Sequence, residues 1–168
     1  MRLAPLLVAT AACATTPAAR APAPRPDGAL DAITFFVGAW EGETRNAAGK
    51  TATLRWTVTP AVTGKWLEGQ ARVESQKIEA RDFWGATGGG FVRIYLDSDG
   101  TRGTLTSTGW RGATWVWEGE AFTTDGSTAK LRETIERVDA DTMHAVWEVA
   151  GEGGAWTQLS EETLHRHP

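Results

Sequence analysis

From Ile33 onward the apolar residues recur with a period of two rather than 3.6. Leu54, Trp56 and Val58 alternate with Arg55 and Thr57; Met143, Ala145, Trp147 and Val149 alternate with His144 and Glu148. Such alternation sends one set of side chains to each face of a pleated strand, so one face is built for a core. Turn-forming clusters interrupt the pattern at short intervals, among them Asn46–Gly49, Gly85–Gly90, Asp97–Gly100, Asp125-Gly126 and Gly151–Gly154. The pattern predicts nine or ten strands, over about 38–45, 50–59, 65–75, 77–84, 91–97, 102–110, 114–122, 128–138, 142–150 and 155–164. Regular short strands joined by tight turns point to an all-β fold, a single antiparallel up-and-down meander closed into a barrel. The one helical segment expected is a short turn near Asp27–Phe36, with Asp27 or Asp31 as its N-cap, placed to plug one end.

An internal repeat sharpens the architecture. Residues 40–57 align without gaps on 117–134, with identities at Trp40/Trp117, Glu41/Glu118, Gly42/Gly119, Glu43/Glu120, Gly49/Gly126, Thr51/Thr128, Ala52/Ala129, Leu54/Leu131, Arg55/Arg132 and Thr57/Thr134. This describes one hairpin built twice, and the two copies should share a register, because loop length fixes pairing. Leu54 and Leu131 then face inward together, followed by Trp56 and Val58 in one copy and Glu133 and Ile135 in the other. Arg55 and Arg132 face solvent. Glu133 is the exception in an apolar row. A buried carboxylate must reach a wet mouth, pair with Arg93 or another cation, or hold a proton.

Composition narrows the function. The 168 residues carry 17 Lys+Arg and 21 Asp+Glu, and this mild acidity argues against a nucleic-acid partner. A single cysteine excludes an intramolecular disulfide and a Cys-based zinc site. Residues 1–12 place Arg2 before a short apolar run, the pattern of an export signal. Two processing routes follow. Thr10-Ala11-Ala12-Cys13 resembles a bacterial lipobox, which would lipidate Cys13. Alternatively, Ala19-Arg20-Ala21 is an Ala-x-Ala site whose cleavage after Ala21 releases a soluble protein. Residues 13–29 are rich in Ala and Pro and read as an extended tether, leaving 30–168 as the barrel domain. The expected address is the cell envelope or periplasm, with the membrane reached only through the lipid anchor. Nothing in the sequence sets an oligomeric state.

The segment Phe35-Phe36-Val37-Gly38-Ala39-Trp40-Glu41-Gly42 resembles the Gly-x-Trp first-strand motif of lipocalin-like (calycin) barrels. It is most similar to a bacterial family of unknown function with the same opening, and more distantly to nitrobindin-type haem barrels. Gly90–Asp97 and the close at Thr163–Arg166 resemble the same unknown-function family. The resemblance implies that a basic residue of the last strand stacks on the first-strand Trp and closes the barrel end; by position these are Trp40 and Arg166.

Several chemistries lack their residues. Gly49-Lys50-Thr51 ends like a phosphate loop, but Thr44 replaces the leading Gly and a strand follows. No Gly-x-Ser-x-Gly elbow occurs. His165 and His167 share a face without a third ligand and read as a solvated tail. Haem would need an inward histidine, whereas His144 faces outward, so neither metal nor cofactor is expected. The nine tryptophans carry the remaining signal. They either fill the core or line an aromatic cavity, for which Trp56, Tyr95, Trp115, Trp117, Glu133 and Trp147 are the candidates. The leading expectation is a non-enzymatic carrier of a small hydrophobic molecule. The alternatives are an isomerase- or cyclase-like enzyme using Glu133, and an envelope protein with a filled core that acts through its outer face.

Overall fold

The computed structural model describes residues 30–151 and 153–167; the segments read as an export signal and a tether, with Cys13, lie outside the described residues. Ten strands follow one short 3-10 turn (η1, Asp31–Phe36). They are β1 (Gly38–Asn46), β2 (Thr51–Ala61), β3 (Trp66–Val73), β4 (Ile78–Thr87), β5 (Gly90–Asp97), β6 (Arg102–Ser107), β7 (Thr114–Phe122), β8 (Thr128–Arg137), β9 (Thr142–Ala150) and β10 (Trp156–His167). Every strand pairs antiparallel with its sequence neighbours, and β10 returns to β1, so the meander closes. Closure leaves no unpaired edge among these strands.

The two repeat hairpins share a register. Trp40 pairs with Trp56 and Gly42 with Leu54; Trp117 pairs with Glu133 and Gly119 with Leu131. Leu54, Trp56 and Val58 are buried, as are Leu131, Glu133 and Ile135. The shared glycine has a steric reason. A Cβ on Gly42 would lie 1.8 Å from the carbonyl oxygen of Thr163, and one on Gly119 would lie 2.0 Å from that of Thr104. At both places the neighbouring strand's backbone comes too close for any side chain, as sharp bending of a barrel wall demands.

One end of the barrel is stoppered by η1. Its first turn contains Asp31, but the N-cap is Leu30 with no side-chain cap, so Asp31 is not the cap expected from sequence, and Asp27 lies outside the described residues. Burial holds the turn instead: Ile33 and Phe36 are fully buried. Trp40 Nε1 donates to the Phe36 carbonyl at 2.9 Å, and Trp110 Nε1 donates to that of Ala32 at 2.6 Å. Arg166 donates to the carbonyls of Val37 and Phe35 at 2.7 and 3.0 Å, while its guanidinium lies 4.2 Å from the Trp40 ring centroid. A cation over an indole contributes about 0.5–2 kcal/mol.

The remaining differences from the sequence reading are local. The third strand stops at Val73, where Glu74–Gln76 forms a 3-10 turn and Lys77 takes a positive φ of 55°. The sixth strand ends at Ser107, three residues early, because Gly109 turns the chain with φ 94°.

Gly119→Ala is expected to destabilise the barrel by at least about 2 kcal/mol, since the obstacle is backbone and cannot rotate away. Gly89→Ala, in open space, should stay within about 0.5 kcal/mol of the parent in the same urea titration.

Candidate functional site

The barrel interior has two halves. Toward η1 it is solid with aromatic rings. Phe36 lies 4.8 Å from Trp84 and stacks on Trp110 at 5.4 Å; Trp84 meets Trp117 at 5.3 Å, and Trp115 meets Trp117 at 5.5 Å. Trp84, Trp115 and Trp117 have no solvent exposure. The indole N–H groups of Trp115 and Trp117 find no acceptor among the described residues. Each such buried donor costs about 1–3 kcal/mol, a cost this half of the core absorbs through ring packing.

The other half holds a cavity of about 340 Å³. Its apolar wall comes from Leu54 and Trp56 on β2, Ala71 and Val73 on β3, Leu131 on β8, Ala145 and Trp147 on β9, and Leu164 on β10. Tyr95 of β5 adds a phenol, its ring centroid 6.2 Å from that of Trp147. Asn46, Gln76, Asp97 and Leu159 also line it, so the cavity runs out to the end of the barrel opposite η1.

A buried ion triad forms the cavity's polar floor. Arg93 donates from Nε and Nη2 to Asp82 Oδ2 at 3.1 and 2.6 Å, and from Nη1 to Glu133 Oε2. All three side chains are buried. The Arg93 guanidinium lies 4.9 Å from the Trp84 ring centroid and 5.3 Å from that of Trp147, so it touches both the packed half and the cavity. Asp82 Oδ1 accepts the Trp84 indole N–H at 2.7 Å. Gly69 makes room for this carboxylate, because a Cβ there would sit 2.0 Å from Asp82 Oδ1.

Electrostatics follow from the count of charges. Desolvation outweighs the nearby Arg93 and pushes the Glu133 carboxyl up to about 7, with the Asp82 charge adding to the rise. Glu162, on the inward face of β10, is pushed up to about 8 by desolvation and by Glu133, against the pull of Arg93. The Arg93 guanidinium is desolvated too, yet Asp82 and Glu133 hold it firmly charged. At the rim, partial burial and the neighbouring Asp99 raise Asp97 to about 6, and burial with Asp97 raises Tyr95 to about 12.

Of the residues named from sequence, Trp56, Tyr95, Glu133 and Trp147 line the cavity. Trp115 and Trp117 do not: they are inward-facing as alternation requires, but they sit in the packed aromatic half. Strand direction explains the difference. Odd-numbered strands start at the η1 end, so Trp115 and Trp117, early in β7, fall there, whereas Tyr95 and Trp147, late in β5 and β9, fall toward the mouth. Asp82 joins Glu133 through Arg93, while Glu68 pairs with Arg81 at 2.7 Å on the outer wall. His165 Nδ1 lies 3.2 Å from the Thr142 hydroxyl on the exposed face. Glu162 was missed. It falls in the polar run Ser160–Glu162, where a bulge between Gln158 and Ser160 shifts the pairing register.

No family model matches the chain, and no curated protein matches it in sequence. Among solved structures it is similar to the crystal structure of Rv2717c from M. tuberculosis, with a TM-score of 0.61 and 16% identity over 83% of this chain and 98% of that one. Weaker likenesses are to two designed proteins. One is a de novo fluorescence-activating β-barrel (TM-score 0.38, 17% identity, 82% of this chain and 98% of that one). The other is EF1p2_mFAP2b bound to DFHBI (TM-score 0.41, 16% identity, 81% and 97%). The likeness to Rv2717c is one of fold: an antiparallel barrel.

Removing Arg93 strands two buried carboxylates, so Arg93→Met should cost about 3–5 kcal/mol at neutral pH, and the deficit should shrink in acid as the carboxyls take up protons. In the parent protein, the folded state binds more protons than the unfolded chain between the ordinary carboxyl pKa of 4.5 and the raised values of about 7 and 8 at Glu133 and Glu162. Stability should therefore be highest near pH 5 and fall steadily to pH 8. Glu162→Gln should flatten that fall; an unchanged slope of Tm against pH would contradict the assignment.

Proposed function

We propose that this protein is a non-enzymatic binding barrel that takes a small, mostly apolar molecule into the cavity between Trp56, Tyr95 and Trp147. The observation that carries this reading is the hollow half of the barrel: about 340 Å³, apolar-walled, with a few polar groups converging on its floor. Volumes of about 300–1,000 Å³ with that lining are typical of small-molecule sites. A protein needing only a stable core would fill this space, because an unfilled cavity costs about 24 cal/mol per Å³. Carriage fits better than acid–base catalysis because the Glu133 carboxylate is held by Arg93, which Asp82 also binds, rather than left free to move a proton.

The reading includes export. The Arg2-led apolar run and the Ala/Pro-rich stretch up to residue 29 support an envelope protein, tethered through Cys13 or released after Ala21. Intact mass of the protein from its own envelope tests this directly. Added acyl mass on a chain beginning at Cys13 supports the anchor; an unprocessed, unmodified chain contradicts export.

Ligand binding is tested with N-phenyl-1-naphthylamine, a neutral apolar fluorophore. One equivalent should bind with a blue-shifted, enhanced emission. Ala145→Phe, which places a ring in the cavity, should weaken binding at least tenfold while the thermal transition remains cooperative. Equal binding by parent and variant would place the probe elsewhere and overturn the reading.

A further inference from the structure

Inward-facing carboxyl groups outnumber inward-facing cations in the cavity. Three carboxylates, Asp82, Glu133 and Glu162, reach its deep part, against one guanidinium, Arg93. Arg72 at the rim does not correct this, because its guanidinium faces outward to Glu79 at 3.5 Å and it is matched by Asp97. Arg93 is itself committed: Nε and Nη2 donate to Asp82 and Nη1 to Glu133. An anion entering the cavity would meet a guanidinium already occupied and, among the described residues, no second inward-facing cation. Glu162, by contrast, makes no hydrogen bond or ion pair within the described residues and faces the cavity. Three aromatic side chains, Trp56, Tyr95 and Trp147, line the same cavity, and the Trp147 ring already has one cation, Arg93, near it at 5.3 Å. Aromatic walls together with an unpaired carboxylate recognise a desolvated ammonium.

We propose that the cavity selects organic cations: a small aromatic or apolar body carrying one protonated amine, with the ammonium at Glu162 and the body against Trp56, Tyr95 and Trp147. This rests on the ligand-binding reading above and adds the chemical class of the ligand. The raised pKa values of Glu133 and Glu162 agree with it: in the empty cavity protons supply the missing positive charge, and a bound cation takes over that role.

Calorimetric titration with three matched probes separates the two claims. The probes are 1-naphthylmethylammonium, 1-naphthylmethanol and 1-naphthoate, which share one ring system and differ in charge. At physiological salt the cation should bind at least tenfold tighter than the alcohol, and the carboxylate more weakly than either. Glu162→Gln should bring the cation within threefold of the alcohol. Ala145→Phe should abolish binding of the cation; its retention would mean attraction to the acidic outer surface and would overturn the proposal. Equal binding of all three probes, or a preference for the carboxylate, would overturn the charge selection while leaving the pocket as a binding site. No binding by any of them at millimolar concentration would overturn both.

Discussion

The interior of this barrel is organised by one buried cation. Arg93 reaches from β5 to Asp82 on the adjacent β4 and across the barrel to Glu133 on β8, a strand that pairs with neither. Burying a guanidinium unpaired would be prohibitive, so its two carboxylates are as necessary as it is. Its position also marks where packing stops. On one side lies Trp84 and the ring cluster that closes on Phe36; on the other lie Trp147 and open space. A polar layer of this kind resists collapse, because apolar side chains cannot close over it without stranding charge. The hollow half therefore follows from the triad, together with small residues such as Ala71 and Ala145 at positions where larger ones would fill the volume.

The repeated hairpin gives the same conclusion a second basis. Its copies share their Trp, their close-packed Gly and their register, yet inward positions differ between them, most sharply where Trp56 of the first corresponds to Glu133 of the second. One copy contributes an aromatic wall and the other contributes the polar floor.

Strand number, closure order and the two faces of each strand were legible in the sequence, because period-two alternation and tight turns are local properties. Glu133 was legible as an anomaly, since a carboxylate in the row Leu131, Glu133, Ile135 needs a partner, and Arg93 was within the candidates. Depth along the barrel axis was not read. Alternation says which face a side chain takes, not how far from the plug it sits, so Trp115 and Trp117 were grouped with Trp147 despite lying at the other end. The missing information was present in the strand directions counted from η1. Glu162 was hidden for a different reason: Ser160–Thr163 is polar on both faces, so no apolar alternation marks which side turns inward.

The account rests on the half of the barrel beyond Arg93 being room for a guest rather than loosely packed core. A crystal structure of the complex with N-phenyl-1-naphthylamine tests that most directly. The account predicts the probe's rings between Trp56 and Trp147, stopping at Arg93, with Trp84, Trp115 and Trp117 unmoved. Rings lodged among those three tryptophans, or bound only on the outer wall above a collapsed interior, would contradict it.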